Sequence, residues 1–176
     1  MATKTYSSPP NNVALFSSLD AFNKSELTSR DLVDYYLKIN GIDNKLQSFI
    51  ELNQDADNQA DAADQYFNAG HKGTIVSGIP FLLNDNIATK DDLNTTSGSY
   101  ALLGSIVPLD AFVVQKLRDA KAVLLGKGSL SEWSGFRDLD APPGWSARGG
   151  QGKNPYNSRA PVGGSSSGPA IAVAAN

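Results

Sequence analysis

The stretch that most constrains this chain is Gly163-Gly164-Ser165-Ser166-Ser167-Gly168, which runs straight into Pro169-Ala170-Ile171-Ala172-Val173-Ala174-Ala175. The glycine pair lets the backbone take angles closed to other residues. Three successive hydroxyls concentrate donors and acceptors in a small space. Pro169 suits the first turn of a helix, where its missing N–H costs nothing. The small apolar run behind it predicts a tightly buried helix. A polar, glycine-flanked loop leading into a helix N-terminus favours an anion or a developing negative charge.

Three chemistries compete for this loop. Gly163 and Gly168 have the spacing of the phosphate loop G-x-x-x-x-G-K-[ST], but Pro169 and Ala170 stand where that loop needs its lysine and its magnesium-binding hydroxyl. Gly164 to Gly168 also fits the nucleophile elbow G-x-S-x-G, with Ser166 as nucleophile. An elbow needs a strand before it, and Asn157-Ser158-Arg159-Ala160-Pro161 makes a poor one. It also needs a later histidine, whereas the single histidine, His71, comes earlier. The third chemistry is a serine-rich catalytic loop driven by lysine rather than histidine. A flexible Gly/Ser linker is the bland alternative; the apolar helix directly behind the loop argues against it.

The rest of the chain narrows the partners. Its 176 residues allow one domain, and 40% apolar and 19% charged residues describe a globular chain. A net charge of −3 gives no electrostatic reason for nucleic acid or an anionic membrane. No apolar run is long enough for a membrane span. The opening residues, Met1 to Pro10, lack the apolar core of a signal peptide, so the default compartment is cytoplasmic. With no cysteine and one histidine, disulfides and thiolate metal sites are excluded, and a zinc site is not expected. Asn23-Lys24-Ser25 and Asn94-Thr95-Thr96 match the glycosylation triplet, a pattern common by chance.

Residues 1–14 read as a loose N-terminal arm, entering a short helix over Val13 to Phe22. Thr28 with Asp31 three residues on resembles a capping box. The helix it opens sets Leu32, Val33, Tyr36, Leu37 and Ile39 largely on one face and stops near Gly41. Leu46 to Leu52 predicts a short strand, and alanine-rich Gln54 to Ala69 a largely solvated helix. Gly70 to Gly73 is a turn, with His71 an exposed loop residue. Ile79 to Leu83 predicts a buried strand. Asp110 is placed to cap a helix carrying Phe112, Val113, Val114 and Leu117, followed by a strand over Ala122 to Gly126. Leu130 to Trp133 opens a further helix, and residues 141–162 form an extended loop. Strand, helix and strand in this order predict an α/β fold, a mixed or parallel sheet flanked by helices.

Several of these segments, taken in order, resemble the amidase signature family, the serine amidases with a Ser–cis-Ser–Lys triad. They are Leu27-Thr28-Ser29, the run Gly78 to Ile87, and Thr95-Thr96-Ser97-Gly98-Ser99. Gly126-Lys127-Gly128-Ser129-Leu130-Ser131-Glu132-Trp133, Asn154-Pro155-Tyr156 and Gly163 to Gly168 complete the set. The triple serine is most like the peptide-amidase-like and fungal members. The resemblance covers the chain from about residue 15, and implies that 15–176 is the N-terminal portion of a larger amidase signature domain, with a sheet left incomplete.

What the resemblance implies chemically is carboxamide C–N hydrolysis through an acyl-serine, with a small-molecule amide as substrate and no cofactor or metal. A neutral lysine would take a proton from a bridging serine in a cis peptide, and that serine from the nucleophile. Ser165 takes the bridging position, Ser166 the position that supports the lysine by hydrogen bonding, and Ser167 simply satisfies the loop. Two departures follow. The lysine position, directly before Asp85-Asn86, holds Asn84, and an amide cannot take the proton. Lys90 comes six residues later, past Ile87 and Ala88. The nucleophilic serine belongs to a glycine-rich segment downstream of the serine loop, outside these 176 residues. The expectation is therefore an amidase-family chain inactive on its own, or else a non-catalytic pseudoenzyme or binding subunit on the same scaffold. On either, Asn84 should lie beside Ser165.

Overall fold

The computed structural model describes residues 21–22, 24, 26–42 and 45–175, with side chains not described over 38–42. The 1–14 arm and most of the expected Val13–Phe22 helix lie outside these residues. The first long element is helix α1, Ser29–Ile42. Its start is the expected capping box. Thr28 Oγ1 accepts from the Asp31 N–H (3.0 Å) and donates to the Asp31 carboxylate (2.7 Å), which also takes the Thr28 N–H (3.2 Å). These bonds satisfy N–H groups that a helix start leaves without internal partners.

Strand β1, Phe49–Leu52, precedes helix α2, Ala56–Asn68. That helix is less solvated than its composition predicts. Ala56, Ala60 and Ala63 are fully buried, one stripe at helical spacing, because alanine lets α2 approach α1 closely. Asp64 of α2 reaches across and accepts the Ser29 and Arg30 N–H groups (2.6 and 3.0 Å). It acts as a second cap on α1. Burial pushes the Asp64 carboxyl above its ordinary value, and those two N–H bonds pull it back.

Strand β2, Pro80–Asn84, helix α3, Phe112–Asp119, and strand β3, Val123–Gly128, complete the central unit. Among the described residues the sheet has the order β1-β3-β2, with β1 antiparallel and β2 parallel to β3. This mixed sheet flanked by helices is the expected α/β fold. Val33, Ala56, Ala60, Val123 and Leu125 pack on one face, under α1 and α2. Leu83, Leu93, Val114 and Leu124 pack on the other, under α3. Gly126 adjoins the irregularity in the β2–β3 pairing, and a Cβ there would stand 2.2 Å from the Glu51 carbonyl oxygen. Only glycine lets β1 come that close.

Three local expectations change. Asp110 does not cap α3, whose N-cap is Ala111. Its carboxylate instead accepts the Lys90 N–H (2.6 Å) and pairs with Arg118 (3.1 Å), a better partner than a helix N–H. The helix expected to open at Leu130 is a 3-10 turn, Glu132–Gly135, in which Trp133 and Ser134 are left-handed. Residues 141–162 are not wholly extended, since β4 (Trp145–Ser146) and β5 (Gly150–Gln151) pair as a small antiparallel ribbon.

Candidate active site

The C-terminal helix α4, Ser167–Ala174, carries the serine loop at its N-terminus, with Pro169 in its first turn. Its position follows from two glycines. The Gly168 N–H donates to the Ser129 carbonyl (2.9 Å), just past β3, at a separation no side chain permits. Gly128 leaves room for Pro169, whose Cδ would lie 2.8 Å from a Cβ at that position. The helix is therefore anchored at its first turn, over the carboxyl end of β2. It is not tightly buried beyond that turn, contrary to expectation: Ile171 is covered while Val173 is 79% exposed.

This placement brings together the residues that the sequence singled out. The Asn84 side-chain amide, at the end of β2, donates to Ser166 Oγ (3.0 Å) and reaches the Ser165 carbonyl oxygen at 3.4 Å, across 82 and 81 residues. Ser165 meets Asn84 through its backbone, not its hydroxyl. Ser165 and Ser166 are exposed and Asn84 is half-buried. Among the described residues every peptide bond is trans, including those flanking Ser165, where the resemblance implies a cis bond. A cis non-proline bond costs about 3 kcal/mol, and the exposed loop offers no packing around Ser165 to offset it. Gly164 takes φ +76°, a left-handed turn that aims the serines back at β2.

Below Asn84 lies a buried polar assembly that the sequence reading did not assign. Asp85 is fully buried. Its Oδ2 accepts from Thr96 Oγ1 and from the Gly98 N–H (2.9 Å), with an Arg148 guanidinium nitrogen at 3.7 Å. Arg148 also donates to Thr96 Oγ1 (2.8 Å) and to Glu51 (3.2 Å). The Asp85 carbonyl accepts the Thr96 and Ser97 N–H groups (3.0 and 3.2 Å). This assembly fixes the turn after Asn84. Two signals in the sequence pointed to it: an aspartate directly following an apolar strand, and an arginine inside a Gly/Pro-rich loop.

Lys127 was also passed over, although it stands within the apolar β3 strand. It is fully buried and donates from Nζ to the Ile87 carbonyl and to Thr95 Oγ1 (3.2 Å). Burial lowers its pKa below the ordinary value, with Asp85, Asp91 and Glu51 opposing that shift. It does not stand where the resemblance implies a lysine base. Lys127 pairs in register with Leu83, whose side chain is in the α3-side core, while Asn84 pairs with Gly128. Adjacent strand residues point to opposite faces, so the amine and the serine loop lie on opposite sides of the sheet. Lys90 is exposed, and its backbone N–H is held by Asp110.

Chemically, the Asn84–Ser166 cluster offers an amide donor, two accessible hydroxyls and a helix N-terminus, with no proton acceptor stronger than a hydroxyl or carbonyl oxygen. Among the described residues no group of three or more His, Cys, Asp or Glu side chains could hold a metal ion. No described helix is long and apolar enough to cross a membrane.

The sequence model of the amidase family matches residues 31–176. A protein of Arabidopsis thaliana named "probable amidase" is 54% identical over 159 residues, which are 89% of this chain and 31% of that protein. A glutamyl-tRNA(Gln) amidotransferase chain of Bacillus pumilus is 37% identical over 158 residues, 89% of this chain and 31% of that protein. The native peptide amidase of Stenotrophomonas maltophilia superposes with a TM-score of 0.89 at 43% identity, over 94% of this chain and 34% of that structure. The chain thus spans about a third of the length of these relatives.

Proposed function

The chain belongs to the amidase family, and from that premise we propose that Asn84 and the 163–168 loop hold the base and serine positions of a carboxamide C–N hydrolase acting through an acyl-serine. The observation that carries this is the Asn84–Ser166 hydrogen bond, made across 82 residues at the end of a parallel strand. In this reading Ser165 is the bridging serine, Ser166 hydrogen-bonds the base position, and Asn84 occupies it. A neutral lysine at position 84 would accept a proton that the Asn84 amide cannot. The relay therefore has no terminus, and the resemblance puts its nucleophile in a downstream segment. By itself this chain binds a small carboxamide and does not hydrolyse it. A second reading, a non-catalytic binding member on the amidase scaffold, is favoured by the same Asn84.

Four proteins separate the readings: the 176-residue chain, and the chain joined to the remaining C-terminal part of the Arabidopsis relative, each with Asn84 kept or replaced by lysine. Ammonia release from simple primary carboxamides is the readout. Both short chains should be inactive. The extended Asn84→Lys chain should turn over, with the extended Asn84 chain slower by a factor of about 10⁴ or more. Equal activity of the two extended chains would show that residue 84 is not the base position. An extended Asn84→Lys chain that binds carboxamides without turnover would select the binding-member reading.

A further inference from the structure

One turn beside the site is built against ordinary backbone preference. Trp133 and Ser134 take φ of 50° and 58° in succession, and Gly135 follows at 79°. Left-handed conformations are rare for a tryptophan, and such outliers gather where a structure holds a group in place for use. The Trp133 indole N–H is buried without an acceptor among the described residues, a second cost at the same turn. These costs leave a half-buried Trp133 and a Phe136 that is 72% exposed, set edge-to-face at 5.9 Å and 90°.

The turn is fastened to both elements that make the candidate site. At its start, Ser131 Oγ accepts the Gly144 N–H (2.8 Å) and reaches the Gly164 carbonyl (3.4 Å), one residue before Ser165. At its middle, Ser134 Oγ accepts from the side-chain amide of Asn86 (3.3 Å), two residues after Asn84. The backbone N–H of Trp133 adds a bond to the Ser97 carbonyl (3.0 Å). The aromatic pair is thus carried by a turn that spans the serine loop and the Asn84 turn, the two sides of the Asn84–Ser166 contact.

Resting on the reading of that contact as an amide site, we propose that Trp133 and Phe136 form the apolar wall of its substrate pocket. The wall selects carboxamides bearing an aromatic group over those with a short aliphatic one. A half-buried Trp133 and an exposed Phe136 set edge-to-face present two rigid ring faces at right angles with little conformational entropy to lose, a corner that suits a phenyl ring. The hydroxyls of the serine loop, fastened to the same turn, would meet the amide end.

The test uses the 176-residue chain, isotope-labelled for NMR, titrated with 3-phenylpropanamide and with propanamide. Both amides should shift the Asn84 side-chain signal. The phenyl compound should bind about tenfold more tightly, the size of one good aromatic contact, and should also shift the Trp133 indole signal. Phe136→Ala should remove that preference, weakening the phenyl compound about tenfold and propanamide much less, and Phe136→Trp should restore it. Equal affinities for the two amides, or a preference that survives Phe136→Ala, would overturn the wall while leaving the amide site standing. If neither compound moves the Asn84 signal, the amide site itself fails, and the wall with it.

Discussion

Replacing Gly168 by alanine should detach the serine loop from Asn84. A Cβ at this position would lie 2.4 Å from Ser129 N, Ser129 O and Ser48 O, all backbone atoms, where ordinary contact begins near 3.4 Å. No side-chain rotation relieves that overlap, so the first turn of α4 must lift by roughly 1 Å. The lift stretches the Gly168 N–H bond to Ser129, now 2.9 Å, and carries Ser166 with it. The Asn84–Ser166 contact, now 3.0 Å, would open to roughly 4 Å, beyond hydrogen-bond range. Overpacking costs about 1–3 kcal/mol and the lost bond about 1. Better helix propensity returns up to about 1 kcal/mol. The net expectation is a loss of roughly 2 kcal/mol in urea unfolding, with a shift of the Asn84 side-chain amide signal. Gly163→Ala is the control, since nothing lies within 4 Å of a Cβ there. A Gly168→Ala chain as stable as its parent, with the Asn84 signal unmoved, would refute the close approach and the placement of α4 that depends on it.

Thr28→Ala removes both hydroxyl bonds of the capping box and should cost about 1 kcal/mol in the same assay, with Thr28→Ser close to neutral; equal losses for the two variants would contradict the cap. Lys127 gives a pH signature. Its folded pKa lies below 10.5, so between those two values the unfolded chain holds a proton that the folded chain has released. Its contribution to stability therefore rises with pH across that window, by at most about 1.4 kcal/mol per pH unit. Below the window the buried charge is a constant cost. Urea unfolding of the parent and of Lys127→Met should show the difference, parent minus variant, growing as pH approaches 10.5; a flat or falling trend would contradict the burial of the charge.

The sequence made some features legible and hid others for definite reasons. The Thr28–Asp31 box was readable because its chemistry is local, and β3 because Val123, Leu124 and Leu125 form a continuous apolar run. The buried face of α2 was obscured because alanine is a weak hydrophobic signal among so many aspartates and glutamines. Its 56, 60, 63 spacing was the readable trace. Lys127 was hidden by its charge, since a buried lysine depends on acceptors, the Ile87 carbonyl and Thr95, that lie 40 and 32 residues away. Asp110 looked like a cap because local spacing allowed one, and Arg118 and the Lys90 N–H outcompeted it. The Trp133 turn could not be foreseen, because left-handed geometry at a tryptophan is imposed by its anchors at Asn86 and Ser97. The meeting of Asn84 with Ser165 and Ser166 was expected from the family resemblance alone. No periodicity joins residues so far apart, and the contact rests on Gly128 and Gly168 letting α4 settle on the end of the sheet.

That contact is open to direct observation. In a NOESY spectrum of the labelled 176-residue chain, the Asn84 side-chain amide protons should give a cross-peak to the Ser166 Hβ protons. The Asn53 side-chain amide, which donates to the buried Leu124 carbonyl at 2.8 Å, serves as an internal standard for a long-range contact of the folded sheet. An Asn84–Ser166 cross-peak alongside the one from Asn53 to β3 is the predicted result. The Asn53 cross-peak without the Asn84 one would mean that the sheet forms as described while the serine loop does not meet Asn84, and the proposed site would be wrong.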